Sequence, residues 1–325
     1  MSRNVEHVGK GANMRKGMKV ALVAALMSLT ALVAVAQAAN FSAWGTAQKI
    51  DEINGNNSEL NTPFQDGCPI QSPDGLSLYQ ASNRPGGEGG LDIWVSHRDS
   101  KDEPWGAPEN LRQPVNSAAD DFCPTPVNGG GLFFVSREAL PGSCGQGDIY
   151  FTKKHPVKGW TEPRNLGCAP GGPNTALDEQ GPSYVENDDH GFLFFSSSSA
   201  AVPGDIYMSP RVGDGWFFGG STSVAGLNDA ANDIQPNVRK DGLEVVFSSN
   251  RAGGLGAQDI WASTRASFSA PWSAPVNLGT AINTAAAESR PSLSKNARQL
   301  LFGRSPGPEG IGDIYVSTRS RVNED

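Results

Sequence analysis

Five carboxylates recur on one frame. Asp66, Asp121, Glu179, Asp233 and Glu288 each follow an Asn by five residues and precede a Pro by three, in NTPFQDGCP, NSAADDFCP, NTALDEQGP, NDAANDIQP and NTAAAESRP. Converging carboxylates bind hard cations such as Ca2+. They also raise one another's pKa, one route to the general acid and base of glycoside hydrolysis. The same residues have a structural use, because an acid behind an Asn can accept backbone N–H bonds and cap its own loop. Recurrence favours the cap: a fold rule repeats in every unit, whereas a reaction needs unlike groups in unlike places. The residue before the Pro does vary, being Cys68, Cys123, Gly181, Gln235 or Arg290. Strand alternation puts it on the same side as the acid two places earlier. Gln235 and Arg290, with Asp120 and Asp178, are therefore expected to make the acidic ring asymmetric. Phe122 and Tyr184 are expected to add apolar contact there.

The elements that position these residues repeat with them. A motif D-I-[WY]-x-[ST] or close variant starts at Asp92, Asp148, Asp205, Asp259 and Asp313, at spacings of 56, 57, 54 and 54 residues. Trp44, Trp105, Trp160, Trp216 and Trp272 follow the same period. Three markers in five copies define a repeat architecture. Each unit reads as four short strands by alternation and aromatic content: one from the Pro, an apolar one such as LEVVFSS, the D-I-[WY] strand and an outer strand carrying the Trp. Five such units predict an all-β, five-bladed propeller whose inner strands line a channel, with the five acids at one mouth. The N-terminal FSAWGTAQKI has no unit before it, and the fifth unit has no Trp strand after it, so the two are expected to close the ring. Arg84, Arg137, Arg251 and Arg304 follow the second strand in four units, with the D-I-[WY] Asp as the expected partner.

Composition bounds the partners. Arg15, Lys16 and Lys19, the run VALVAALMSLTALVAVA and a following AQA read as a cleaved signal peptide over residues 1–39, starting at Met1 or Met14. The propeller is expected over 40–321, with 322–325 as a tail. Cleavage removes five basic residues and one acid, taking the net charge from −8 to −12, which argues against nucleic acid and anionic membranes. No membrane span is expected after cleavage. His97, His155 and His190 are scattered and no C-x-x-C occurs, which excludes a zinc cluster. Four cysteines in an exported chain suit two disulfides, expected as Cys144–Cys168 and Cys68–Cys123.

SPDGLSLYQASNRPGGEGGLDIW and RKDGLEVVFSSNRAGGLGAQDIW resemble the WD40-like (PD40) propeller repeats of the TolB family, over essentially the whole chain after the leader. That resemblance implies a periplasmic or cell-surface interaction module. No nucleophile elbow, H-E-x-x-H, P-loop or dinucleotide fingerprint occurs. The sequence alone therefore reads as a periplasmic or secreted, monomeric, non-catalytic propeller. It would bind a protein or small polar ligand through Asp66, Asp121, Glu179, Asp233, Glu288, Gln235 and Arg290. Two alternatives stand beside it: a Ca2+-binding structural propeller using the five acids, and a glycoside hydrolase drafting Asp66, Asp121 and Glu288 as channel carboxylates.

Overall fold

The computed structural model describes residues 41–140, 142–187 and 190–322; the expected signal peptide and the end of the tail lie outside them. Five antiparallel sheets, one per sequence repeat, stand around a central axis. In blade 1 the strands are Asp66–Gln71, Ser77–Ser82, Asp92–His97 and the short outer Glu109–Asn110. The innermost strands of the other blades are Asp121–Val127, Asp178–Asn187, Asp233–Val238 and Ala287–Leu293. No helix among the described residues is long and apolar enough to cross a membrane.

The N-terminal segment closes the ring. Gln48–Lys49 pairs antiparallel with Asp313–Thr318 as the outer strand of blade 5, with Gln48 opposite Val316. Trp44 precedes this strand instead of lying in it, as Trp105 and Trp272 precede theirs. Their work is packing between blades. Trp105 of blade 1 is buried with Leu301 and Ile314 of blade 5, and Trp44 packs with Ile260 and Tyr315.

The recurring Asn is the joint between blades. The Ile backbone N–H of each D-I-[WY] strand donates to the Oδ1 of the next blade's Asn, at 2.7–2.8 Å for Asn61, Asn116, Asn174, Asn228 and Asn283. The amide Nδ2 of that Asn donates to the same residue's carbonyl. One side chain thus satisfies both polar groups of a strand residue buried at the blade junction. The D-I-[WY] Asp caps the Gly-rich loop before it; Asp92 accepts the Glu88 N–H at 2.7 Å and Asp148 the Cys144 N–H at 2.7 Å. It is not the partner of the second-strand Arg, contrary to expectation.

Candidate functional site

The residue before each Pro breaks strand alternation. Cys68, Cys123, Gly181, Gln235 and Arg290 all have positive φ, between 50° and 59°, and the ladder to the second strand shifts register at each. They form β-bulges, so the expected shared side is not observed. The acid stays inside its blade, and the bulge residue turns to the axis. At Gly181 the approach is close enough to exclude a side chain, because a Cβ there would lie 2.5 Å from the Gln235 Cα.

The axis is closed by these residues. Gln235 Nε2 donates to Gln180 Oε1 at 2.9 Å, and the Arg290 N–H donates to Gln235 Oε1 at 3.2 Å. The Arg290 guanidinium lies 5.6 Å from the Phe122 ring centre. The Cys68 and Cys123 thiols meet there with their Sγ atoms 2.7 Å apart as free, buried cysteines, so the disulfide expected between them is not formed: the sulfurs are in contact but not within bonding distance. Cys144 and Cys168 are joined as a disulfide with Cα atoms 5.5 Å apart, the chemistry of an oxidising compartment and hence of an exported chain.

The five expected acids do not form an open ring. Each is buried, and each accepts the backbone N–H of the residue right after the blade's Asn: Thr62 for Asp66, Ser117 for Asp121, Thr175 for Glu179, Asp229 for Asp233 and Thr284 for Glu288, at 2.6–3.0 Å. Among the described residues no three His, Cys, Asp or Glu side chains converge as a cation site, so the geometry gives Ca2+ no cage at these acids. The physical reason is local. The loop offers each carboxylate donors at once, and the bulge keeps it from reaching its counterparts.

The acids nonetheless fall into two classes. Asp66, Asp233 and Glu288 carry an ion pair with Arg84, Arg251 and Arg304. Asp121 and Glu179 have none among the described residues. In blades 1 and 4 the Arg sits two residues beyond the Ser opposite the acid, its N–H donating to that Ser Oγ: Arg84 to Ser82 at 3.2 Å, Arg251 to Ser249 at 3.1 Å. In blade 2 the Ser opposite Asp121 is Ser136, and the residue making the same bond, at 3.2 Å, is Glu138. Arg137, one residue out of step, reaches Asp120 at 3.0 Å and Asp178 at 2.7 Å instead. Blade 2 therefore carries Glu138 at the position where blades 1 and 4 carry Arg84 and Arg251. Sequence reading missed Glu138 because Arg137 and Arg84 align by eye; the signal was the single residue between Ser82 and Arg84 that the pair Ser136–Arg137 lacks.

Asp121 and Glu138 line a cavity of about 480 Å3 at the mouth where the inner strands begin, together with Glu162, Phe134 and Tyr150. Asp121 Oδ1 has no hydrogen-bond partner. Burial pushes the Asp121 carboxyl up to about 6, against the pull of the Ser117 donors. Burial likewise pushes Glu179 up to about 7, although Thr175 and Ser197 donate to it. A carboxyl whose pKa is raised toward neutrality, in a cavity that a second carboxylate also lines, has the makings of an acid/base pair.

These two groups fix the sign of a pH effect. Their folded pKa values exceed the ordinary carboxylate values, so from about pH 4 to pH 7 the folded state holds protons the unfolded chain has released. Stability therefore falls as pH rises through that window, by up to about 3 kcal/mol per group. Asp121→Asn and Glu179→Gln should each flatten the decline in melting temperature between pH 4 and pH 8. An unchanged slope in both variants would contradict the raised pKa values.

No protein-family model matches the chain, and no curated protein does. Solved structures do match. The α-L-arabinofuranosidase of Podospora anserina is 13% identical, with a TM-score of 0.52 over 86% of this chain and 98% of its own. An endo-arabinase of Bacteroides thetaiotaomicron is 15% identical, with a TM-score of 0.53 over 80% and 95%. A family-43 endo-arabinanase of Bacillus licheniformis is 15% identical, with a TM-score of 0.51 over 81% and 95%. These relatives in structure are glycoside hydrolases. The likeness overturns the assignment to WD40-like PD40 repeats of the TolB type, and with it the expectation of a non-catalytic, protein-binding propeller. At such identity it establishes the fold. The D-I-[WY] hairpin and Gly-rich loop had carried the PD40 assignment, but Asp92 and Asp148 show them to be loop-capping devices.

Proposed function

We propose that the protein is an exported glycoside hydrolase whose acid/base pair lies in blade 2. The observation that carries this reading is that Glu138 holds the position where blades 1 and 4 carry an arginine, two residues beyond the Ser opposite Asp121, and that Asp121 and Glu138 both line a cavity of about 480 Å3. Asp121, protonated up to about 6, donates the proton to the departing glycosidic oxygen. Glu138 serves as base or nucleophile, and Phe134 and Tyr150 contribute apolar wall. The closed axis moves this chemistry off the channel: Asp66 and Glu288, drafted from sequence as channel carboxylates, are held by Arg84 and Arg304. The structural neighbours named above are arabinofuranosidases and arabinanases, which makes α-L-arabinofuranosides the first substrates to try. A polymeric substrate of that kind favours secretion over retention in the periplasm.

The test is hydrolysis of an aryl α-L-arabinofuranoside and of arabinan by the wild type, Asp121→Asn and Glu138→Gln. Each variant is expected to lose roughly 10^2–10^4-fold in kcat with its fold intact. The wild-type rate should fall above about pH 6, where Asp121 gives up its proton. Full activity in both variants would refute the assignment of the site. Absence of hydrolysis by the wild type across furanosides and pyranosides would refute the activity.

A further inference from the structure

We infer that the opposite mouth of the propeller is a second binding site, for a sugar ring carrying a carboxylate. The inference is independent of the proposed activity, because it concerns the other end of the axis. Beyond the bulges, the five inner strands run on and splay into a funnel of about 220 Å3, lined by residues 70–73, 125–128, 183–186, 237–240 and 293–295 and by Trp216. Tyr184, expected from sequence at the acidic mouth, belongs to this one. The prolines after the bulges and the axial residues Arg290 and Gln235 make its closed floor.

The funnel has an aromatic wall on one side. Tyr184 and Trp216 are both half-buried, with ring centres 5.0 Å apart at 68°. Their orientation is fixed from behind. Trp216 stacks on Phe151 at 4.9 Å, and the Tyr184 hydroxyl donates to Glu186 at 2.8 Å and accepts from Arg211 at 3.1 Å. Such half-exposed rings held rigid offer apolar contact at little entropic cost.

The other side is cationic. Arg239 there is neutralised by Asp241 and Glu244, while on the aromatic side Glu186 is paired with Arg211 at 3.4 Å. Lys240 and Lys295 are exposed on the rim and have no ion pair among the described residues. Two ammonium groups without an ion pair among the described residues thus border the same funnel as the aromatic wall, on a chain whose net charge is −8. An anion there gains from both lysines, while a bare anion leaves the rings unused and a neutral sugar leaves the lysines unused. A volume of about 220 Å3 suits one ring, which makes a uronate the occupant that uses both walls.

Calorimetric titration of the whole protein with D-galacturonate, D-galactose and acetate tests this. Galacturonate should bind saturably, at least about ten times more tightly than either control, and more weakly as salt is raised. The double variant Lys240→Ala, Lys295→Ala should lose about tenfold or more in affinity at unchanged melting temperature, both side chains being exposed. Asp121→Asn should bind as the wild type does. Equal affinity for galactose, no saturable binding of galacturonate, or binding that survives loss of both lysines would overturn the proposal. Binding lost in Asp121→Asn would place the ligand in the blade 2 cavity and overturn it equally, whatever the enzyme assay gives.

Discussion

A chain beginning at Asp51 should melt at least about 10 °C below one beginning at Phe41. The missing segment supplies the outer strand of blade 5, and its backbone donates from Ser42 to Ser320, from Gly45 to Thr318 and, across to the preceding blade, from Ala47 to Ala281. It also supplies Ile50, buried at 2% exposure, and the Trp44 side chain. Arg319 stacks on Phe41 and Trp44, at 4.0 and 4.3 Å, while forking onto Glu244 of blade 4 at 2.9 and 2.7 Å. Losing the apolar burial and a handful of net hydrogen bonds costs on the order of 5 kcal/mol, a large share of what holds a domain together. The uncovered edge of Asp313–Thr318 should also pair between molecules. Thermal melts and size-exclusion chromatography of both chains check this; equal melting temperatures would show that the ring does not depend on its N-terminal strand.

Arg84→Ala should destabilise the protein by about 3–5 kcal/mol, far more than Arg137→Ala, at about 1 kcal/mol. The two arginines occupy adjacent blades and look alike in sequence. Asp66 is fully enclosed and keeps Arg84 at 2.6 Å, while the same guanidinium also bonds the Glu59 carbonyl and Ser82 Oγ. Removing it strands a carboxylate away from water. Arg137 is 37% exposed; of its two partners Asp120 can return to solvent, and the buried Asp178 keeps the Gln180 Nε2 donor at 2.8 Å. Acid should relieve the Arg84→Ala defect, since a protonated carboxyl costs less to bury. Replacing both partners, Asp66→Asn with Arg84→Met, should recover most of the loss. Denaturant unfolding at pH 7 and pH 4 measures all three; equal costs for Arg84→Ala and Arg137→Ala would remove the distinction on which the blade 2 site rests.

Much of this architecture was legible in the residues themselves. Five copies of the Asn-acid-Pro frame and of D-I-[WY] determined blade number, strand order and ring closure, because each copy is a local rule. An Asn bonds the neighbouring blade's Ile, an Asp caps the loop before it, and an orphan N-terminal strand needs an edge. Local rules are written in local sequence. The same regularity hid the site. Alternation placed Cys68, Gln235 and Arg290 beside the acids, but a positive φ at each turned them to the axis and left the acids enclosed. Whether Arg84 or Glu138 stands two residues beyond the Ser opposite the acid depends on register across two strands, where one residue reverses the side chain's face. Only the assembled sheet decides that, and only the closed ring brings Tyr184 and Trp216 of blade 3 to one funnel with Lys240 and Lys295.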